Sequence, residues 1–405
     1  MFTSKKGDSE MKSLLFKATL TFILSIFLLS PLVSAKAPFI PDLPEEWVLI
    51  DPGELYGDFE YNGLEPACSN GLDAENDDFF FFAKGGTVNN LVVYFQGGGA
   101  CWDPLTCLTV QPFSQDCTLD DKPINYGGMF DFQNSDNPFK NWSFVFIPYC
   151  TGDIHWGAND KTYSGFVTID GSTVPVTHTI QHRGFVNFQV VLKYITDTFK
   201  KPHKIFVTGS SAGAYGALVG FPWIKEAYSK SKVTCLGDAG MGVNPPEYTQ
   251  YTRANWNAQL PPWIFDATTG AYPTYTEMWN AISDYYPRSK IAEFTNAFDS
   301  TQIWFYGFMF TTLGIEPPDN VALDWHRNMW EGLDNRAESP NYRYYVAEGE
   351  NHTILGHDLF YTEDSAEGIV FLDWLEAMIK NQGGTNGHGA MPWLNIKCPE
   401  CRLLE

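Results

Sequence analysis

From residue 91 onwards, short apolar segments alternate with longer segments whose apolar residues recur every three or four positions. The short segments, rich in β-branched and aromatic residues, lie at 91–95, 143–147, 204–208, 232–236, 291–297 and 343–347. The longer segments lie at 184–200, 212–229, 275–285 and 365–380. Near-continuous apolar strands are typical of a parallel sheet that is covered on both faces. The pattern therefore predicts an α/β fold, a three-layer α/β/α sandwich with a mostly parallel central sheet.

Three parts of the chain depart from this alternation. Residues 37–90 combine short apolar or aromatic runs with Pro, Gly and Asn, which is typical of strands and hairpins. Within them, 79–83 is interpreted as one arm of a hairpin that turns at the Lys-Gly-Gly of 84–86. Residues 239–274 and 301–341 are rich in Pro, Tyr and Trp, and we expect insertions that form loops or a small cap. Such a cap would lie above the carboxyl edge of the sheet, where ligands bind in open α/β folds.

The N-terminus has the pattern of an export signal. Lys12 and Lys17 lead into an apolar run over 18–29, and small residues at 33–35 provide a cleavage site. We expect residues 1–35 to be a signal peptide, with Met11 as an alternative start, and 36–405 to be one domain that is secreted to the extracellular space or the periplasm. The alternative is a membrane anchor, but the run is shorter than the ~20 residues of a membrane span. No stable membrane attachment is therefore expected.

The charge balance excludes one class of partner. The chain contains 26 Lys and Arg against 48 Asp and Glu, a formal net charge of −22. Loss of residues 1–35 removes four basic and two acidic side chains, which leaves about −24. A protein of this charge repels the phosphate backbone of nucleic acid, so nucleic acid is not expected as a partner.

Eight cysteines in an exported chain predict disulfide bonds rather than a metal cluster. Four of them fall within 101–150, and the sequence does not select among the possible pairings. The Cys398-x-x-Cys401 pair resembles half of a zinc site or a redox motif. A single C-x-x-C near the C-terminus instead favours a terminal disulfide in this compartment.

A G-x-S-x-G motif centres on Ser211, between Gly209 and Gly213. An apolar strand precedes the motif, and a helical segment that opens with small residues follows it. A nucleophile elbow requires this arrangement, because the serine occupies a strained strand-to-helix turn that only small neighbours allow. The sequence therefore predicts Ser211, and not Ser210, as a nucleophile beside the start of a helix.

A nucleophilic serine needs a histidine base, and that base needs a carboxylate to orient it. In this architecture the order along the chain is serine, acid, histidine, with the last two on loops after later strands. His352 follows the last predicted strand and is the expected base, with His357 as the alternative. Asp299 follows the strand before it and is the expected acid, with Asp238, after an earlier strand, as the alternative.

Three consecutive glycines, 97–99, follow the first of the apolar strands. Glycine leaves backbone N–H groups unobstructed, and a loop in this position commonly supplies donors to an oxyanion. We expect Gly98, Gly99 and Ala212, the residue after the serine, to supply them. A phosphate loop is excluded because no G-K-[ST] follows, and a dinucleotide loop because G-x-G-x-x-G is not completed.

Six motifs spread over most of the chain carry a resemblance to a known family. They are Y-F-Q-G-G-G-A-C-W-D at 94–103, I-P-Y-C-T-G-D at 147–153, V-T-G-S-S-A-G-A-Y-G-A at 207–217, G-D-A-G at 237–240, F-D-S-T-Q at 298–302 and N-H-T-I-L at 351–355. As a set they resemble the pectin acetylesterase and Notum-type serine carboxylesterases, which have an α/β-hydrolase fold. The resemblance implies the same catalytic and oxyanion residues as above. It also makes Asp153, His155 and Trp156 candidate cleft-lining residues, with a structural role as the alternative, and Trp102 in the glycine-loop motif is a further candidate.

What the resemblance implies is a secreted serine carboxylesterase that removes O-acetyl groups from a polysaccharide. Two alternatives stay open: a deacylase for longer acyl chains of lipids or acylated proteins, and a non-catalytic secreted binding module on the same fold. We expect no metal, no organic cofactor and a monomer. Because of the negative charge, we also expect weak activity on de-esterified, highly charged pectin.

Overall fold

A nine-stranded, mostly parallel sheet lies at the centre of the protein. The structure is a computed structural model that describes residues 39–169, 171–266, 271–380, 392–399 and 401. In spatial order the strands are β1 (Val48–Ile50), β2 (Phe81–Lys84), β4 (Ser143–Ile147), β3 (Asn90–Phe95), β7 (Lys204–Ser210), β8 (Lys232–Asp238), β9 (Ile291–Asn296), β10 (Tyr342–Ala347) and β11 (Ile396–Lys397). β2 runs antiparallel to both of its neighbours, and the strands from β4 to β11 are parallel.

Helices pack on both faces of this sheet. They are α1 (Pro52–Tyr56), α2 (Gly184–Thr198), α3 (Ala212–Ala227), α4 (Pro246–Trp256), α5 (Tyr275–Tyr285), α6 (Ser300–Leu313), α7 (Val321–Arg336), α8 (Leu359–Thr362) and α9 (Phe371–Ile379). The predicted three-layer α/β sandwich with a mostly parallel sheet is confirmed. In the part of the chain that the structure describes, no helix is long and apolar enough to cross a membrane. The predicted signal peptide lies outside the described residues.

Alternate residues of each central strand belong to two separate hydrophobic cores. In β3, Leu91, Val93 and Phe95 pack in the core that α2 and α3 cover, whereas Val92 and Tyr94 pack in the core that α9 covers. Side chains of a strand alternate between the faces of a sheet, so a strand covered on both faces must be apolar at every position. This is why the strands of the sheet could be located from uninterrupted apolar runs.

The interpretation of 79–83 as one arm of a hairpin is wrong, because this segment does not pair with the strand that follows it in the chain. β2 pairs with β1 and β4, and the strand that follows it in the chain, β3, lies beyond β4. The two glycines after β2 allow close backbone contacts instead of a hairpin turn. A Cβ on Gly85 would lie 2.3 Å from the Leu43 carbonyl oxygen, and one on Gly86 would lie 2.4 Å from the Asn141 carbonyl oxygen.

Of the two regions expected to be loops or a cap, 239–274 contains one helix and 301–341 is largely helical. α4 lies within 239–274, while α6 and α7 fill most of 300–336 as the crossover between β9 and β10. The helix α6, S-T-Q-I-W-F-Y-G-F-M-F-T-T-L, is apolar on nearly every side, so its sequence has no amphipathic period. The expectation of loops at 301–341 is therefore wrong, while the alternative of a small cap stays a prediction.

A long hairpin lies outside the sheet and was not predicted. Its strands, β5 (Asn159–Ile169) and β6 (Ser172–His182), pair antiparallel over eleven positions. The sequence contains Asp170-Gly171 between them, which is a strong hairpin signal. Many outward-facing positions of the two strands are Thr and Ser, so no apolar run marks them.

Three disulfides join Cys68 to Cys150, Cys101 to Cys107 and Cys398 to Cys401. The predictions of disulfide bonds and of a terminal Cys398–Cys401 pair are confirmed. Two further cysteines, Cys117 and Cys235, are buried thiols. Burial raises the pKa of both thiols well above the ordinary value, which disfavours the reactive thiolate.

His182 is buried as a neutral imidazole at the base of the hairpin. Its Nδ1 donates to the Thr151 carbonyl over 2.9 Å, and its Nε2 accepts from the Tyr163 hydroxyl over 3.0 Å. Burial lowers the pKa of His182 from 6.5 to about 4. The unfolded chain therefore binds one more proton than the folded chain between these values. The neutral imidazole's contribution to stability is present above pH 6.5 and is lost as the pH falls towards 4.

We expect the stability difference between wild type and His182→Gln to depend on pH. Glutamine does not titrate, so the wild-type advantage in the free energy of unfolding should shrink by on the order of 2 kcal/mol from pH 7.5 to pH 4.5. Urea unfolding at the two pH values measures this. The exposed His203→Gln serves as the control and should show no such change. A pH-independent difference for His182→Gln would contradict the assignment of a neutral buried imidazole.

Candidate active site

Ser211 occupies the turn between β7 and α3, with φ +57° and ψ −123°. A positive φ is strained for a residue other than glycine and costs on the order of 1–3 kcal/mol. The turn is tight because a Cβ on Gly213 would lie 1.9 Å from the Phe95 carbonyl oxygen, and one on Gly209 would lie 2.3 Å from the Gly213 carbonyl oxygen. Ser211 precedes the first residue of α3, so the positive end of the helix dipole lies beside it.

The neighbouring serine has a structural environment. Ser210 is buried, its hydroxyl donates to Asp238 Oδ2 over 2.6 Å, and it accepts from the Tyr94 hydroxyl over 2.8 Å. The hydroxyl of Ser210 is therefore engaged inside the protein, whereas Ser211 lines an open cavity.

The loops after β9 and β10 bring Asp299 and His352 together. The two strands are parallel neighbours in which Asn296 lies opposite Ala347, so their following loops leave the sheet side by side. His352 Nδ1 donates to the carboxylate of Asp299 and lies 2.8 Å from Oδ2 and 3.0 Å from Oδ1. Asp299 is fully buried and also accepts from the backbone and side-chain amides of Gln302. This carboxylate fixes the ring orientation and keeps the proton of His352 on Nδ1.

The second ring nitrogen of His352 remains available. Nε2 is buried, and among the described residues it has no hydrogen-bond partner. His352 and Ser211 line the same cavity. Hydrogen bonds between a catalytic base and its nucleophile are often long without substrate and tighten in the complex. The lone pair on Nε2 is therefore in a position to receive a proton at the cavity.

The two alternatives that the sequence left open lie elsewhere. Asp238 is fully buried, and its carboxylate accepts from the backbone N–H groups of Ile354 and Leu355 at 3.0–3.1 Å. It thus holds the loop that carries His352, not the imidazole itself. His357 is exposed, and its Nε2 lies 3.1 Å from the Thr353 hydroxyl. The geometry favours Asp299 and His352 as the acid and base pair.

The glycine loop ends beside Ser211 with free N–H groups. Gly98 has φ +156° and Gly99 has φ +76°, and a Cβ on Gly99 would lie 1.9 Å from the Pro112 carbonyl oxygen. Among the backbone contacts of the described residues, the N–H groups of Gly98 and Gly99 donate to no acceptor. Gly99 and Ala212 line the cavity together with the serine.

His155 supports this loop from behind. Its Nε2 donates to the Gln96 carbonyl over 2.9 Å, and its ring packs against Phe95 and Tyr149. Burial lowers the pKa of His155 to about 4, so the imidazole is neutral at physiological pH. The neutral ring keeps the strand end that precedes the glycines in place without adding a charge near the serine.

Asp153 is completely buried next to His155 and holds the backbone around it. Its carboxylate accepts from the Thr151 hydroxyl over 2.6 Å and from three backbone N–H groups, those of His155, Gly157 and Gly184. In contrast to the expectation of cleft-lining residues, neither Asp153 nor His155 lines the cavity. Trp102 does line it, with its indole N–H donating to the Thr312 hydroxyl.

The cavity in front of Ser211 encloses about 830 Å³ of empty space, including its open mouth. Its walls are largely aromatic, from Trp102, Trp156, Tyr215, Tyr248, Trp256, Tyr275, Phe305 and Trp325. Such rings can stack on the face of a sugar or contact an acyl chain. The lining of the site therefore offers apolar contacts to a sugar ring or to an acyl chain.

Arg253 is a candidate functional residue that the sequence analysis missed. It lines the cavity from α4 and is 4% exposed. Its guanidinium lies 4.9 Å from the Trp156 ring centroid and donates to the Pro273 carbonyl and to Met278 Sδ. Burial lowers its pKa to about 10, and within the described ranges no carboxylate forms an ion pair with it. A buried cation of this kind suits an anionic or carbonyl oxygen of a ligand.

Among the residues that the structure describes, potential metal ligands cluster in two places outside the cavity. One group consists of Cys68, Cys117 and Cys150, and the other of Cys101, Cys107 and His182. Two cysteines of each group are joined in a disulfide. Disulfide sulfurs cannot act as thiolate ligands, so neither group forms a thiolate metal site in this state.

Known proteins share part of this sequence. The sequence model of the pectinacetylesterase family matches residues 68–259. Pectin acetylesterase 11 of Arabidopsis thaliana is 28% identical over 166 residues, which is 40% of this chain and 39% of that protein. Pectin acetylesterase 7 of the same plant is 25% identical over 169 residues, again 40% of this chain and 39% of that protein. The palmitoleoyl-protein carboxylesterase NOTUM of Schmidtea mediterranea is 25% identical over 172 residues, 39% of this chain and 30% of that protein.

The family match covers one part of the site. The chain matches about two fifths of the length of the two plant enzymes. The family match at 68–259 includes the glycine loop and Ser211, but it ends before Asp299 and His352. The interpretation of Asp299 and His352 therefore rests on their geometry in this structure.

Proposed function

We propose that this chain is a pectin acetylesterase and Notum-like serine carboxylesterase, a secreted hydrolase that removes O-acetyl groups from a polysaccharide. The observation that carries the proposal is a strained, cavity-facing Ser211 that shares its cavity with His352, whose ring is held by the buried Asp299. A serine with an oriented base and nearby free N–H groups suits acyl transfer. The plant relatives, named as pectin acetylesterases, favour an acetylated polysaccharide over other esters.

In the proposed mechanism His352 Nε2 takes the hydroxyl proton of Ser211 as its Oγ attacks the ester carbonyl carbon. Asp299 keeps the imidazole in the required tautomer and stabilises the imidazolium that forms. The developing oxyanion accepts hydrogen bonds from the N–H groups of the glycine loop and Ala212. His352 returns the proton to the leaving alcohol and then activates the water that hydrolyses the acyl-enzyme.

The cavity supports a sugar ester as substrate. Its aromatic walls offer flat surfaces for sugar rings, and Arg253 offers a buried positive charge for a carboxylate or carbonyl oxygen. A single cation in the cavity does not offset the net charge of the chain, so weak activity on de-esterified, highly charged pectin stays a prediction.

A second candidate is a deacylase for longer acyl chains. The observation that favours it is the apolar lining of the same cavity, to which Ile154, Val243, Phe305 and Met309 contribute. The similarity to a palmitoleoyl-protein carboxylesterase points in the same direction, at lower identity than the match to pectin acetylesterase 11.

The length of the acyl chain separates these candidates. We expect the purified protein to hydrolyse p-nitrophenyl acetate with a higher kcat/KM than the palmitate ester and to release acetate from acetylated pectin. A spectrophotometric series from acetyl to palmitoyl, with acetate measured enzymatically on the polymer, tests this. A long-chain optimum would favour the second candidate. Absence of turnover on every ester and on the polymer would favour the remaining hypothesis, a non-catalytic binding module.

A further inference from the structure

The edge of the sheet opposite the active site carries a dense group of cations. An open cleft there encloses about 1900 Å³ of empty space, including open solvent. We define the basic cleft by its seven cationic lining residues, Lys204, Lys225, Lys230, Lys232, Arg288, Lys290 and Lys380. The chain has 26 basic residues against 48 acidic ones, yet about a quarter of the basic ones border this cleft. Among the described residues, the only carboxylate lining it is that of Glu226.

The fold explains how separate parts of the sequence meet here. Lys204 and Lys232 are the first residues of the neighbouring strands β7 and β8 and lie opposite each other. Lys290 directly precedes β9, and Lys380 follows the last residue of α9. Amino ends of parallel strands and carboxyl ends of the connecting helices meet at the same edge, so residues far apart in sequence form one surface.

Part of this charge has a structural role. Lys225 Nζ donates to the Ser231 carbonyl over 3.1 Å, and Lys290 Nζ donates to the Ala377 carbonyl of α9 over 2.8 Å. Cations at helix carboxyl ends satisfy free carbonyl groups and oppose the negative end of the dipole. Such a role accounts for the partly buried lysines of the cleft.

It does not account for the exposed cations. Lys230 and Arg288 are exposed, and in the part of the chain that the structure describes neither has a hydrogen bond or ion pair. The surrounding cations repel one another: burial is the main cause that lowers the pKa of Lys204, and the charges of Lys232 and Lys380 lower it further. A ligand that brings several negative charges would relieve this repulsion.

The cleft also offers a surface for a sugar ring. Tyr285 at its border is 49% exposed, and the neighbouring Tyr286 also lines it. An exposed aromatic ring beside cations matches a sugar that carries a carboxylate, because the ring can stack on the sugar face while the cations contact the charge.

We propose that the basic cleft binds an anionic polysaccharide, a polyuronate with a carboxylate on each sugar, and thereby holds the polymer on the enzyme. The choice of a polyuronate as the ligand rests on the proposed function. The positive charge of the cleft is independent of that function. The seven residues of β7 separate this cleft from Ser211 by roughly 20 Å. Charged stretches of one chain bind at the amino edge of the sheet, while acetylated sugars enter the cavity at the carboxyl edge.

The experiment is affinity electrophoresis of the full chain in native gels that contain polygalacturonate or, in parallel, a neutral galactan. We expect retardation by polygalacturonate only, and its loss in 0.5 M salt, because exposed charges are screened. The triple variant K230Q/K232Q/R288Q should weaken the apparent affinity by about 10- to 100-fold, since each exposed charge contact contributes modestly. Its hydrolysis of p-nitrophenyl acetate should stay at the wild-type rate.

A matched triple variant controls for net charge. K140Q/K161Q/R327Q removes the same number of Lys and Arg residues outside the cleft and should bind polygalacturonate as the wild type does. Equal weakening by both triple variants would overturn the proposal, because net charge alone would then explain binding. Binding to anionic phospholipid vesicles through the cleft residues, without binding to polygalacturonate, would also overturn it and identify a lipid surface instead.

Failure of this proposal is distinguishable from failure of the proposed function. Ser211→Ala should retain polygalacturonate binding while it loses ester hydrolysis. The cleft triple variant should raise KM for acetylated pectin without changing kcat on the small ester. If the wild-type protein hydrolyses esters but is not retarded by polygalacturonate, only the proposal about the basic cleft is contradicted.

Discussion

Replacement of Ser211 by alanine is expected to lower kcat for ester hydrolysis by roughly 10⁴- to 10⁶-fold. Ser211 carries a hydroxyl and lines the same cavity as His352, whose ring is oriented by Asp299. Alanine removes the nucleophile and leaves the cavity and the N–H donors intact, so substrate binding should persist. Initial rates with p-nitrophenyl acetate, together with the thermal unfolding midpoint, measure the effect and show that the variant is folded.

The adjacent serine provides the matched control. Ser210→Ala makes the same chemical change one residue earlier, but it removes a hydrogen bond to the buried Asp238 instead of the nucleophile. We expect a loss of stability of about 1–3 kcal/mol and a much smaller effect on kcat. Full activity of Ser211→Ala, or a larger loss of kcat in Ser210→Ala, would contradict Ser211 as nucleophile.

Asp299→Asn is expected to lower kcat by about 10⁴-fold. Asparagine keeps the size of the side chain, but its amide N–H₂ can face the imidazole and favour the tautomer with the proton on Nε2. His352 would then offer a donor, not an acceptor, to the serine hydroxyl. Because the carboxylate of Asp299 is fully buried and holds Nδ1 at 2.8 Å, no water can readily replace it. Steady-state kinetics should show a large fall in kcat with little change in KM.

Asp238→Asn is the control for a buried carboxylate that does not contact the imidazole. It accepts from the backbone of Ile354 and Leu355, and an amide oxygen can still accept one of these bonds. We expect lower stability and at most about a tenfold loss of kcat. If Asp238→Asn lost as much kcat as Asp299→Asn, the acid would have to be reassigned.

The central sheet was predictable because each parallel strand is buried on both faces. The apolar run at 143–147, for example, predicts a strand, and β4 has the same bounds. α6 could not be predicted as a helix because it is apolar all round, and the pairing of β2 could not be predicted because it depends on strands far away in sequence. The local sequence pattern therefore locates helices and strands. Which strands pair with one another depends on the folded chain.

The candidate site likewise contains residues that the sequence predicts and residues that it does not. Ser211 has a local signal in its glycines, and the order of Asp299 and His352 after later strands follows from the architecture. Arg253 could not be recognised from its sequence neighbours, since what marks it is burial at the wall of a cavity without an ion pair to any carboxylate of the described residues. The basic cleft could not be predicted from the sequence either. Lys204, Lys290 and Lys380 are far apart along the chain and come together only in the folded protein.

The short strand β11 has a consequence for self-association. It pairs with β10 through Ile396 and Lys397, and the Cys398 N–H donates to the Val346 carbonyl over 2.9 Å. Without it, the apolar strand that leads to His352 would present unpaired N–H and C=O groups along the border of the sheet, a template onto which another molecule can add a strand. Two paired residues and a disulfide therefore protect the last long strand from aggregation. A strand this short exposes little backbone of its own.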